Sequence, residues 1–267
     1  MIRWSLIVVI FLALNLDAGA KKKLGDAKKG FKIAKKVADR NKGKTSITQA
    51  SMSLFSRKGT ARKRNFRTFE IQKGKESSSR LIRFSGPDKV KGLGLLTHNY
   101  PGQDSDQWVF LPDLNKSRRI SSSGKGGRFV GSDFYYEDLE DRAVGKDTHY
   151  FIKKENLDGI KTNVVISVPK KKKSSVYRQR KLWIHPEIHI PLKVEFYKRG
   201  KKPIKTLTVK RIEEIDGIWT VMESEMVSHK DRHKTVIVYN DVAYNEKLKK
   251  VLFTKQTLGD PSRDQSM

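Results

Sequence analysis

The stretch "DQWVFLPDLNKSRRISSSGKGGRFVGSDFYYEDL" (Asp106 to Leu139) falls into three unlike pieces. Asp106 to Pro112 has the apolar run of a strand. Asn115 to Arg128 is basic and rich in serine and glycine. Gly127 to Leu139 then gathers Phe129, Phe134, Tyr135 and Tyr136 with three carboxylates, Asp133, Glu137 and Asp138. A short helix capped by Ser132 or Asp133 is the local expectation, because acids in a first turn suit the positive end of the helix dipole.

On either side the chain is dominated by strand patterning. Polar and apolar residues alternate in "SITQASMSLF", "RNFRTFEIQK", "SRLIRFSG", "GLGLLTHNY" and "DQWVFLP". The pattern continues in "HYFIKKEN", "KTNVVISVP", "VYRQRKLWIH", "PLKVEFYKRG", "KTLTVKRIEE", "IWTVMESEMVS" and "KTVIVYNDVAY". Close spacing, with Gly, Pro, Asn, Asp and Lys turns between, predicts an antiparallel meander with one wet face. "FYKRGKKPIKTLTV" is the clearest hairpin, turning at Arg199-Gly200. Residues 21–44 read as one amphipathic helix, capped by Asp26, with an apolar stripe of Ala27, Phe31, Ala34 and Ala38. No linker or fixed-period repeat breaks 45–267, so a single domain that includes the helix is expected.

Residues 1–20 combine Arg3, an apolar run from Trp4 to Leu14, and Ala18-Gly19-Ala20. That is the form of a cleaved signal peptide, and the apolar run is short for a membrane span. The chain contains no cysteine, which excludes disulfides, thiolate metal sites, a cysteine nucleophile and a lipoprotein anchor. The expected location is therefore the periplasm. Fifty-seven Lys and Arg against 29 Asp and Glu leave a net charge of +28, a field that attracts polyanions. In an exported protein those are the anionic lipid headgroups of a membrane surface, lipopolysaccharide or acidic exopolymers rather than nucleic acid, and a plain solubility bias would give the same charge.

A catalytic reading finds no frame. "HPEIH" (His185 to His189) has helical metal spacing, but Pro186 and Pro191 deny it a helix. "SGKGGR" lacks the phosphate-loop frame, and no nucleophile elbow is present. The acids of the central stretch match no calcium loop. Neither an enzyme nor a cofactor or metal is expected.

The central stretch resembles the signature of the outer-membrane lipoprotein-sorting, LolA-like proteins, in particular the branch associated with RND-type exporters. The resemblance rests on Gln107-Trp108, Leu111-Pro112, Arg118-Arg119-Ile120, Phe129, Gly131-Ser132-Asp133 and Tyr136 to Leu139. Weaker similarity lies in "LWIHPEIHIPLKVEFYKRGKKPIKTL" (Leu182 to Leu207) and "LFTKQTL" (Leu252 to Leu258). It implies an α+β fold: a strongly curved antiparallel sheet of about eleven strands, a half-open β-barrel, with short helices plugging the open side. It also implies a non-enzymatic carrier of lipoprotein acyl chains or another amphiphile, and an RND-type exporter as partner.

Strand alternation then offers cavity positions at Trp108, Phe110, Trp183, Val194, Phe196, Leu207, Val209, Trp219 and Val221. The resemblance implies lid positions at Phe134, Tyr135 and Leu139, with ordinary core packing as the alternative for each of these residues. Arg118 and Arg119 are headgroup contacts or a plain solvated strand end. The competing expectation is a basic envelope protein whose sheet is filled by its own side chains, binding anionic surfaces or an exporter without lipid cargo.

Overall fold

A computed structural model describes residues 24–265, and the expected signal peptide lies outside them. The first strand, β1 (Thr45–Phe55), does not lie at an edge. It pairs with β2 (Ala61–Gly74) on one side and with the last strand, β13 (His233–Tyr244), on the other. From β2 the chain meanders outward through β3 (Ser77–Gly86), β4 (Gly94–Asn99), β5 (Asp106–Leu111) and β6 (Lys116–Arg119). On the other side it meanders inward from β7 (Asp147–Leu157) through β8 (Ile160–Pro169), β9 (Gln179–Ile184), β10 (Pro191–Tyr197), β11 (Lys205–Ile215) and β12 (Ile218–Ser228) to β13.

All thirteen strands form one antiparallel sheet whose edges are β6 and β7, consecutive in the chain but not hydrogen-bonded to each other. Register shifts in β1, β2, β7, β10 and β11 add bend and twist. The result is the expected curved, unclosed sheet. It exceeds eleven strands partly because β6, "KSRR", is a four-residue edge strand with every side chain exposed and no apolar pattern to read.

The amphipathic segment forms helix α1 over Ala27–Ala38, within the longer stretch expected. Asp26 caps it, its side chain accepting from the Lys29 N–H at 2.9 Å. The face turned inward differs from the stripe read in the sequence. Ala27 and Phe31 are exposed, while Gly30 is buried and Ala34, Val37 and Ala38 are partly covered. Gly30 decides this. A Cβ there would sit 2.4 Å from the His149 carbonyl oxygen, so only glycine lets the helix lie so close to β7. Backbone bonds between Asp26 and Phe151 (3.0 and 2.9 Å) also pin the helix start to that edge strand.

The body of β1 to β5 is buried on both faces. Its concave face carries Met52, Leu54, Phe66, Ile82, Phe84, Leu95 and Val109. Its convex face carries Phe69, Leu81, Leu96 and Phe110, covered by Leu252, Phe253 and Leu258 of the tail and its helix α2 (Lys255–Gly259). Buried Arg83 ties that tail down, donating to the carbonyls of Thr257 (2.9 Å) and Leu258 (3.0 Å) and pairing with Asp264 at 2.8 Å.

Candidate functional site

Because β6 and β7 are opposite edges and neighbours in the chain, residues 120–146 must cross between them. This crossing segment carries the aromatic, acidic stretch Gly127 to Leu139. Phe129 packs into the concave core, tilted against Phe84 (5.6 Å between ring centres) and edge-on to Tyr136 (5.9 Å). The short helix expected there is a 3-10 turn, Tyr136–Leu139, capped by Asp138 on the Tyr135 N–H at 2.6 Å rather than by Ser132 or Asp133.

Each carboxylate of the stretch is a buried anchor to a different part of the sheet. Asp133 accepts from the Thr235 hydroxyl at 2.8 Å and lies 3.0 Å from His233 Nδ1, both on β13. Asp138 accepts from the Tyr177 hydroxyl at 2.7 Å and pairs with Lys205 of β11, which also donates to the Asp133 carbonyl at 3.0 Å. Glu137 accepts from the Val176 N–H at 2.6 Å and pairs with Arg180 of β9. Burying a lysine is costly unless its charge is met. Lys205 meets Asp138 and sits 3.6 Å over the Tyr135 ring, in a cage completed by Tyr177 and Phe196. Even so, burial draws its pKa below the usual lysine value, against the pull of Asp138.

Beyond this plug the concave face is not filled. A cavity of about 880 Å³ lies between α1, the β2–β3 turn, the end of the plug and the inner face of β8 to β12. Val165, Leu182, Val194, Phe196, Leu207 and Met226 form its apolar floor; Ala34 and Val37 of α1 and Phe134 of the plug form walls. The rim is ionic. Asp147 pairs with Arg142 at 2.7 Å, and Asp141 with Lys42 (3.3 Å) and Arg80 (3.4 Å). Burial alone would raise Asp141, but Arg80, Lys42 and Arg40 outweigh it and hold its pKa at about 2. Glu140 behaves oppositely: burial pushes it up to about 7 although Lys125 lies 2.6 Å away.

Four positions singled out from the sequence border this cavity: Phe134, Val194, Phe196 and Leu207. Tyr135 and Leu139 belong instead to the plug's packing: Tyr135 stacks on Tyr177 at 6.0 Å, and the Leu139 carbonyl accepts from Arg80 at 3.1 Å. Trp108 and Phe110 face the convex side, in the core beneath the tail. Trp183 also faces outward, since its neighbours Leu182 and Ile184 line the cavity. It lies under Lys181 (4.3 Å) and Lys193 (4.4 Å), with its N–H on Glu155 at 2.9 Å.

Trp219, 41% exposed, and Val221 share the convex face of β12, and Val209 lies beyond the cavity's edge. Arg118 and Arg119 are exposed on β6 and do not reach the cavity; Arg119 pairs with Asp106 instead. The cations that do line it are Arg40, Lys42, Lys75, Arg142 and Arg180. Among the described residues no group of three or more His, Asp or Glu side chains could hold a metal ion.

This architecture recurs in solved structures. A domain assigned to the outer-membrane lipoprotein-sorting proteins of Vibrio parahaemolyticus superposes with a TM-score of 0.83 at 30% identity, over 88% of this chain and all of that one. A DUF1329 family protein from Desulfovibrio piger gives the same TM-score and identity, over 88% of this chain and 99% of that one. A LolA superfamily protein from Nitrosomonas europaea shares the fold at a TM-score of 0.66 and 20% identity, over 87% of this chain and 99% of that one. A family model described only as an uncharacterised protein matches residues 76–260. No curated protein sequence matches. With its open barrel and internal plug, the chain belongs to the LolA-like, outer-membrane lipoprotein-sorting family.

Proposed function

We propose that the protein is a non-enzymatic periplasmic carrier that takes the acyl chains of a lipoprotein, or another amphiphile, into the cavity between α1, the plug and β8 to β12. The observation that carries this reading is the apolar floor of a cavity of about 880 Å³, on a concave face filled elsewhere by the plug and the core of β1 to β5. That volume lies within the range of roughly 300–1,000 Å³ usual for small-ligand sites. Each acyl CH₂ buried there contributes about 0.8 kcal/mol, so a chain of a dozen carbons gains on the order of 10 kcal/mol before ordering costs. The polar rim suits a headgroup left in water. Membership of the lipoprotein-sorting family supports the same reading, and the exporter-associated resemblance makes an RND-type transporter the partner for hand-over.

The test is uptake of a fluorescent fatty acid, with native mass spectrometry and lipid extraction of gently purified protein. Leu182→Asp and Leu207→Asp place a charge on the floor at half-buried positions, so the fold is expected to survive. Uptake should fall about tenfold or more while thermal unfolding stays cooperative. No uptake by the unaltered protein, together with a clean unliganded mass, would overturn the carrier reading.

A further inference from the structure

The excess positive charge is not spread evenly. Four loops, 56–60, 170–178, 198–204 and 229–232, carry nine lysines and four arginines against a single acid, Asp231, which Arg128 already neutralises. All four leave the same end of their strands, because β1, β8, β10 and β12 end there. They also touch in series. The Arg178 guanidinium donates to the Gly200 carbonyl at 3.0 Å, and the His229 N–H to the Ile204 carbonyl at 3.0 Å. Lys234, two residues past the fourth loop, pairs across from Phe55, next to the first. Twelve of the thirteen cations are exposed and Lys198 is half-buried.

At the far ends of these strands or their neighbours, the turns 75–76, 158–159, 185–190 and 216–217 hold Lys75 against Glu76, Asp158, Glu187 and Asp216. The entry to β1 (39–44) and the exit from β13 (245–250) add six cations and two acids, leaving that end nearly neutral. Along β11 the two ends are about 33 Å apart, at roughly 3.3 Å per residue. None of the thirteen cations lines the cavity.

We propose that these four loop tips form a docking surface for an anionic lipid bilayer, a site separate from the cavity. Lysine-rich tips suit a surface of smeared phosphate charge, where each cation adds its own increment of attraction. A single-stranded nucleic acid would want stacking platforms, and the one aromatic in these loops, Tyr177, is buried. The tips are also projecting hairpin turns and not a groove that could track a strand. The inference does not depend on what the cavity holds.

The absence of cysteine allows a clean test. Lys172→Cys and Asp216→Cys, each labelled with an environment-sensitive dye, report the two ends separately on phosphatidylglycerol-rich vesicles at about 0.15 M salt. The label at 172 should shift on binding and the label at 216 should not. Combined Lys171→Ser, Lys172→Ser and Lys173→Ser should lower vesicle partitioning about a hundredfold. Removing the same formal charge elsewhere, with Lys75→Ser, Lys153→Ser and Lys154→Ser, should change it less than about threefold.

Equal losses from the two triple variants would overturn the docking surface, leaving only a general charge effect. So would a failure of the unaltered protein to bind, or a polyanion such as heparin or duplex DNA binding it while the vesicles do not. Fatty-acid uptake measured on the same loop variants should stay unchanged, which separates this surface from the carrier reading.

Discussion

The two halves of the sheet share a strand pattern and differ in what covers them. β1 to β5 are packed on both faces, with the plug's Phe129 inside and Leu252, Phe253 and Leu258 outside. β7 to β12 have the cavity inside and a convex face of lysines, glutamates and half-exposed tryptophan outside. The difference comes from connectivity. The plug leaves β6 and first fills the concave face beside the strands it has just left, while α1 reaches across to β7 and arches over the remainder. One half is therefore a scaffold and the other a container.

The contrast can be broken most directly at the plug's buried charge. Lys205→Ala leaves Asp138 without its counter-ion in the core, and such a loss costs about 3–5 kcal/mol. Melting should fall by roughly 10 °C, a size expected for a domain of this length, and a dye sensitive to exposed apolar surface should brighten. A melting change below about 2 °C would mean that the plug is not held from the container side.

Next comes a matched pair of truncations. Phe84→Ala, in the sealed half, should cost about 3–5 kcal/mol because its cavity cannot collapse. Leu207→Ala, whose side chain already faces open volume, should cost under about 1.5 kcal/mol by chemical denaturation. Equal costs would erase the distinction between the halves.

The smallest effect is on pH. Glu140 has a folded-state pKa of about 7, above its ordinary 4.5, so the folded protein binds more protons than the unfolded chain between those values. Stability from this group is present below about pH 4.5 and declines as pH rises to about 7, by roughly 1–3 kcal/mol. Glu140→Gln should flatten the fall in melting temperature between pH 5 and pH 7.5, and an unchanged slope would remove Glu140 as its source. Asp141 acts in the other direction: its contribution is present above its ordinary 3.8 and is lost as pH falls toward about 2.

The strands were legible because alternation is a local property. Every one of the twelve patterned segments contributes to a strand, and only "KSRR", which has no pattern, was not foreseen. Which face points inward is not local. "QWVFL" is apolar on both faces because both are buried, with Val109 under the plug and Trp108 and Phe110 under the tail. In "IWTVMESEM" the large Trp219 faces outward while Met222 and Met226 are buried on the other face.

Within the site, the acids of "SDFYYEDL" stand out in a basic chain, but their partners Lys205, Arg180 and Thr235 lie dozens of residues away in ordinary-looking strands. An inward lysine in "KTLTV" carries no signal until its carboxylate is known. The family resemblance supplied what periodicity could not, namely that this stretch closes an open barrel.

The pairing of β1 with β13 also bears on how the molecule assembles. It joins Ser46 to Tyr244, near opposite ends of the chain, in the middle of the sheet. Until β13 is available, the rest of the sheet can form only as two separate meanders, each lacking its central neighbour. Contacts this distant in sequence fold slowly, because loop closure precedes their gain. The chain thus stays unable to complete its barrel until nearly all of it has been made. That delay places completion of the sheet at the seam between scaffold and container, where β13 joins β1.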